Sequence, residues 1–339
     1  MRRECKILVL LILSVLLCFG CGTVEQKEEE KKDSSGQASA EVFAMDTIMD
    51  LTVYGDDAEE ILSEAEQMIQ KYESLFSVNI ESSDVAKLNR SDGEPVSVSE
   101  ETYELIQDSL KVSERTEGLF DISIYPLVRA WGFTTEQYRV PEEKEISRIL
   151  KHVDYRKIRL GDDRTVALEK GMQIDLGGIA KGYLSQELTE LFQRKNAQAA
   201  VVSLGGNVQT FGTKPDGSLF RVGITDPADG AGVLGMIEIG EKAVITSGSY
   251  QRYFEKDGKI YHHIMDKRTG APAESDLRSV TVIADRGESA DSLATALFVM
   301  GKKKAIEFDE KNEDIQLILV DERNEVWTSE GITLTKTEE

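Results

Sequence analysis

From Ala199 onward the chain is written in short apolar runs at strand spacing, and this narrows the fold class more than any other feature. The runs are Ala199–Leu204, 219–224, Val233–Ile239, 243–246, 261–265 and 279–284. One helical stretch at about 289–300, stopped by Gly301, interrupts them before two last strands at 315–320 and 325–328. Strands that follow one another without a helix pair antiparallel, whereas a doubly wound sheet needs a helix after nearly every strand. The N-terminal half reads as a strand over 42–54, then a helix capped by Asp56 or Asp57. Ile61, Leu62, Ala65, Met68, Ile69, Tyr72 and Leu75 share one face of that helix. Ser99 caps a second helix that stops at Gly118, and Pro141 starts a third. Residues 157–168 read as a hairpin turning at Gly161-Asp162-Asp163. The pattern predicts an α+β fold of mixed sheets with helices, without internal repeats.

The N-terminus bears on the compartment. Arg2, Arg3 and Lys6 precede an apolar run over 7–19, then Gly20 and Cys21. This is a secretory signal, short for a permanent membrane helix. A Cys directly after the run resembles a bacterial lipoprotein signal, with Cys21 the lipidated first residue of the mature protein. Ordinary signal cleavage and an uncleaved anchor are the alternatives. Residues 21–40 hold too little apolar surface to fold and read as a disordered tether. The folded domain is then expected over 41–335. All three cysteines, at 5, 18 and 21, lie in the export segment, so the body has no disulfide and no thiol nucleophile. Histidine is confined to His152, His262 and His263, which argues against a multi-His metal site. A formal charge of −22 disfavours nucleic acid as a partner. A phosphate ester bound here needs compensation from a metal, backbone N–H groups or a lysine.

Five segments carry candidate chemistry. In 175–183, Asp-Leu-Gly-Gly-Ile-Ala-Lys-Gly-Tyr, Gln173-Ile174 reads as a strand end and Ala180 opens a helix. The glycines between them suit an anion held by backbone N–H groups, or simply tight packing. Asp291 and Thr295, four apart near a helix start, offer two oxygens to a hard ion such as Mg²⁺. Alternatively, Asp291 favours its own helix dipole and Thr295 bonds back to a carbonyl. His262 and His263 end a strand, so one faces a pocket and the other packing or solvent. Thr246-Ser247-Gly248-Ser249 reads as a loop of hydroxyls and N–H groups. Gly118-Leu119-Phe120-Asp121, followed by Pro126 and Trp131-Gly132-Phe133, sets aromatic rings beside a carboxylate, as core or as a stacking wall. The chain has no Gly-x-Ser-x-Gly elbow, no Walker lysine motif and no Gly-x-Gly-x-x-Gly fingerprint.

In order, these segments resemble the ApbE family, the FAD:protein FMN transferases of bacterial envelopes. The likeness rests on Met45-Asp46-Thr47, the 118–133 block, 175–183, Ser203-Leu204-Gly205-Gly206-Asn207, Thr246-Ser247-Gly248 with His263-Ile264 and Thr269-Gly270, and the helix from Ala290-Asp291 to Gly301. The resemblance implies two closely packed lobes with a flavin cleft between them. It implies that FAD is the substrate, cleaved to AMP while FMN is joined by a phosphoester to a Thr or Ser of an acceptor protein. Such acceptors are redox-complex subunits or FMN-binding domains. It further implies Mg²⁺ held by Asp291, Thr295 and a backbone oxygen near Gly178. Flavin or adenine contacts are implied for Met45, Leu119, Phe120, Asp121, Asp175, Lys181 and Ile264. An acceptor hydroxyl needs a base, for which His263 ranks above Asp175. Two departures stand out. Asp46 takes the place of the Gly of many relatives, and Asn79 that of an aromatic, leaving a wetter site in which water could replace the acceptor. Hydrolysis of FAD, and flavin capture without turnover, are the competing expectations. The expected location is the outer side of the cytoplasmic membrane, lipid-anchored.

Overall fold

Eight strands follow one another across the main sheet in the order of the chain. They are β1 (Gln37–Ala44), β2 (Thr47–Tyr54), β3 (Ala199–Leu204), β4 (Asn207–Gly212), β5 (Ala243–Gly248), β6 (Leu277–Ala284), β7 (Ile315–Asp321) and β8 (Val326–Thr328). Every neighbouring pair is antiparallel, so the α+β class read from the sequence holds. The computed structural model describes residues 36–228, 230 and 232–336. The export segment, Cys21 and residues 21–35 of the expected tether lie outside the described residues. Among the described residues no helix is long and apolar enough to cross a membrane.

The central strands are buried on both faces, as β6 illustrates. Val280 and Val282 pack into the larger apolar cluster, while Ile283 on the opposite face joins Val222, Ile237 and Ile318. Helices α1 (Ala58–Phe76), α2 (Glu100–Arg115), α3 (Ala180–Arg194) and α4 (Gly287–Met300) supply much of the larger cluster. The hairpin Phe220–Thr225 with Val233–Ile239 covers the other face. The N-cap of α2 is as read: Ser99 Oγ accepts from Thr102 N–H at 3.2 Å. α3 and α4 approach closely because two glycines meet. A Cβ on Gly182 would collide with the Gly287 carbonyl oxygen and lie 2.6 Å from Asp291 Cβ.

Several expectations are corrected. Residues 42–54 are not one strand, because Met45 and Asp46 turn the chain at φ 50° and 60° between β1 and β2. Turns of this hand favour Gly or Asn, so the sequence hides this one. β1 also begins at Gln37, four residues inside the expected tether. Gln173-Ile174 belongs to no strand. Asn89 holds Ile174 extended instead, accepting its N–H at 2.7 Å and donating to its carbonyl at 2.9 Å. Thr246–Gly248 is the end of β5 rather than a loop. Residues 36–336 fall in one compact unit.

Candidate active site

Strand register gathers the motif segments at one end of the sheet. Met49 pairs with Leu204, and Leu204 pairs with Asn207 across the next turn. The Met45-Asp46 turn and the Gly205-Gly206 turn therefore lie side by side. Gly205, at φ 62°, leaves room for Thr47, whose Cβ would stand 3.0 Å from any side chain there. Val244 pairs with Val208, so β5 carries Thr246 and Ser247 past the same end.

α4 brings Asp291 and Thr295 to this end on one face, as their spacing predicts. Asp291 reaches across to the neighbouring helix. Its Oδ2 accepts the Gly182 N–H at 2.9 Å and so caps the first turn of α3. The Thr295 hydroxyl lies 3.3 Å from that of Ser247. Asp291 Oδ1 has no hydrogen-bond partner among the described residues. Gly178 precedes α3 by two residues, and a Cβ there would lie 3.2 Å from the Phe120 ring. A carboxylate and a hydroxyl on one helix face, with the Gly178 carbonyl as the expected third donor, are all oxygen ligands, which would suit Mg²⁺ rather than a soft metal. No group of three or more His, Cys, Asp or Glu among the described residues could hold a metal. An ion here would depend on substrate oxygens as well.

Beside this set stand Asp175, Lys181, Arg252 and His263. Asp175 Oδ1 accepts the Gly177 N–H at 2.8 Å, and its own N–H donates to Ile122 O at 2.8 Å. Burial raises the Asp175 carboxyl above its ordinary value, opposed by the Gly177 N–H and the charges of Arg252 and Lys181. His263 donates its backbone N–H to Arg252 O at 3.0 Å, and its Nδ1 lies 3.3 Å from the same oxygen. A carbonyl only accepts, so Nδ1 carries the ring proton and Nε2 keeps the lone pair. Burial, helped by Arg252 and His262, pushes the imidazole down to about 3. The ring is therefore neutral near pH 7. His262 turns the other way: Nε2 donates to Ala273 O at 3.0 Å, and the ring meets Phe298 edge-on. The two histidines split between site and packing as the strand alternation requires.

The other expected contacts divide. Met45 is half-buried in its turn, where its N–H donates to Glu73 Oε1 at 2.8 Å. Asn79 is exposed just beyond α1, and Leu119 is half-buried. Phe120 and Ile264 are buried in the larger cluster. The Asp121 side chain is turned into the protein, which leaves its backbone as the part that could meet a ligand. Its Oδ1 accepts from Ser123 N–H and Oγ, and its Oδ2 from Tyr155 N–H and from Lys267 Nζ at 2.7 Å. The side chain is 1% exposed and fully engaged inside the protein. Removing its counter-charge by Lys267→Met is expected to destabilise the fold by about 3 kcal/mol, read as a lower urea midpoint. Trp131 is core, donating Nε1–H to Gly270 O at 2.9 Å, while Phe133 sets its edge to His263 at 6.4 Å between ring centroids.

A model of the ApbE family matches residues 45–319. The chain belongs to the ApbE family. It is 34% identical over 284 residues to an FAD:protein FMN transferase of Klebsiella pneumoniae, covering 82% of this chain and 87% of the relative. A Treponema pallidum FAD:protein FMN transferase is 31% identical over 341 residues, covering 94% and 93%. The crystal structure of the ApbE protein of Thermotoga maritima superposes with a TM-score of 0.82 at 36% identity, over 87% of this chain and 97% of that one. The flavin transferase ApbE of Vibrio cholerae gives 0.78 at 26% identity over 87% and 97%. In this ApbE chain the sequence reading missed Arg252, whose carbonyl fixes the His263 tautomer and whose charge acts on both His263 and Asp175. A lone arginine in a bend before a strand carries no periodic or spacing signal.

Proposed function

We propose that this protein cleaves FAD and transfers its FMN half to a Thr or Ser hydroxyl of an acceptor protein, releasing AMP. The observation that carries the reading is the Gly182–Asp291 contact. It joins the 175–183 turn, with Lys181, to the oxygen donors of α4. Family membership and the activity borne in the names of the relatives support the same reading.

His263 Nε2 removes the proton of the acceptor hydroxyl, which is a weak nucleophile without a base. The acceptor oxygen then bonds to the phosphorus of the FMN half. The bond from that phosphorus to the bridging oxygen breaks, and AMP leaves with the electron pair. Lys181 and Arg252 offset the anionic charge, and Asp175 helps to hold Lys181. Asp291, Thr295 and the Gly178 carbonyl would hold Mg²⁺. When bound, the ion would supply charge neutralisation and Lewis acidity at the diphosphate. The N-terminal segment supports lipidation at Cys21 and a site of action outside the cytoplasmic membrane. The acceptor would then be a redox-complex subunit or FMN-binding domain reachable from that surface.

The exposed Asn79 favours a second activity, hydrolysis of FAD by water in place of the acceptor. Incubation with FAD and Mg²⁺, with and without an FMN-binding domain, separates the two. AMP that forms only with the acceptor supports transfer; AMP at the same rate without it contradicts transfer; no AMP in either arm leaves flavin capture. The pH profile tests the base. An ordinary histidine loses half its basic form at pH 6.5, whereas here the neutral form persists as pH falls toward about 3. Single-turnover transfer should therefore stay level from pH 8 down to about pH 5. A fall centred on pH 6.5 would contradict the environment assigned to His263.

A further inference from the structure

The Ser203–Asn207 block leaves one buried group without a task. Asn207 is 4% exposed, and its side-chain Nδ2 has no hydrogen-bond partner. Buried amides are nearly always paired, so an open one at a site end calls for a partner.

Its place follows from register. Gln209 faces the helices, since its Oε1 accepts from the Ser185 hydroxyl of α3 at 3.2 Å. Asn207, two residues earlier on β4, faces the same way. Gln209 pairs with Ala243 and Val208 with Val244, so the next step sets Asn207 beside Ile245. Along α4, Gly287 packs on Gln209, and Thr295 meets Ser247. Eight helical residues advance about 12 Å and four strand residues about 13 Å, so α4 and β5 keep pace. Asp291 is midway along that stretch of helix, as Ile245 is along the strand. Asn207 thus lies beneath Asp291, and Gly206 next to it faces open space, since a Cβ there would meet nothing within 4 Å.

We propose that Asn207 is a further substrate-binding residue, donating its amide N–H to a phosphate oxygen of the FAD diphosphate. The proposal rests on the FAD reading above and adds to it the recognition of the diphosphate from the sheet side. FAD and ADP share that group, so both are the probes. In the presence of Mg²⁺, Asn207→Ala should weaken the binding of each about tenfold, as loss of a hydrogen bond to a charged group does. The melting temperature of the ligand-free protein should hardly change, because the amide bonds to nothing within the protein. Asn207→Ser, which keeps a shorter polar side chain, is read in the same way should the alanine variant fold poorly. Unchanged affinity for both probes overturns the proposal. Weaker FAD binding with unchanged ADP binding also overturns it, by moving the contact to the flavin half. Wild-type protein that binds neither probe would sink the functional reading itself, and this proposal with it.

Discussion

Asp291→Asn is expected to slow AMP release by about three orders of magnitude while leaving the melting temperature almost unchanged. The two outcomes separate because Asp291 does two things. One oxygen caps α3 through the Gly182 N–H, and an amide oxygen accepts that bond equally well. What asparagine removes is the negative charge, on which any cation at this all-oxygen site depends. Asp291→Ala should lose both roles, adding about 1 kcal/mol of instability to the loss of turnover. Thermal melts beside an AMP assay on both variants decide this. Asparagine with full turnover would leave Asp291 as a helix cap and nothing more.

His263→Gln is expected to lower covalent flavin transfer by about 10²- to 10⁴-fold with FAD binding retained. Arg252 O holds the proton on Nδ1, which leaves the Nε2 lone pair for the acceptor hydroxyl; burial keeps the ring neutral and also weakens it as a base, so the anionic substrate would have to raise its proton affinity. Glutamine keeps a polar side chain of similar reach but has no basic nitrogen. Asp175→Asn should be the milder change, because that carboxyl is raised by burial and acts on Lys181 and its own turn. In-gel flavin fluorescence of the acceptor measures transfer, and a fluorescence titration measures FAD binding. If Asp175→Asn proved the more damaging of the two, the base would have to be reassigned.

The sequence displays what local pattern can carry. The strands after Ala199 announced themselves by alternation, and the spacing of Asp291 and Thr295 placed both on one helical face. What stayed hidden depends on partners far along the chain. The Met45-Asp46 turn has neither glycine nor asparagine, and Glu73 anchors it from α1. Ile174 looks like a strand end because Asn89 supplies the bonds that a neighbouring strand would. The ion pair of Asp121 with Lys267 joins residues 146 apart. The capping of α3 by Asp291 joins residues 109 apart, beyond any periodicity. The family resemblance supplied the candidate residues that spacing alone left open, and strand register sets the Met45-Asp46 turn, the Gly205-Gly206 turn and Thr246 at one end of the sheet.

The central claim is transfer of FMN to a protein hydroxyl, and intact-mass analysis of the acceptor tests it most directly. An FMN-binding domain incubated with the protein, FAD and Mg²⁺ should gain one FMN on a Thr or Ser, with one AMP released for each. Release of AMP with the acceptor mass unchanged would contradict the account and make the protein a hydrolase of FAD.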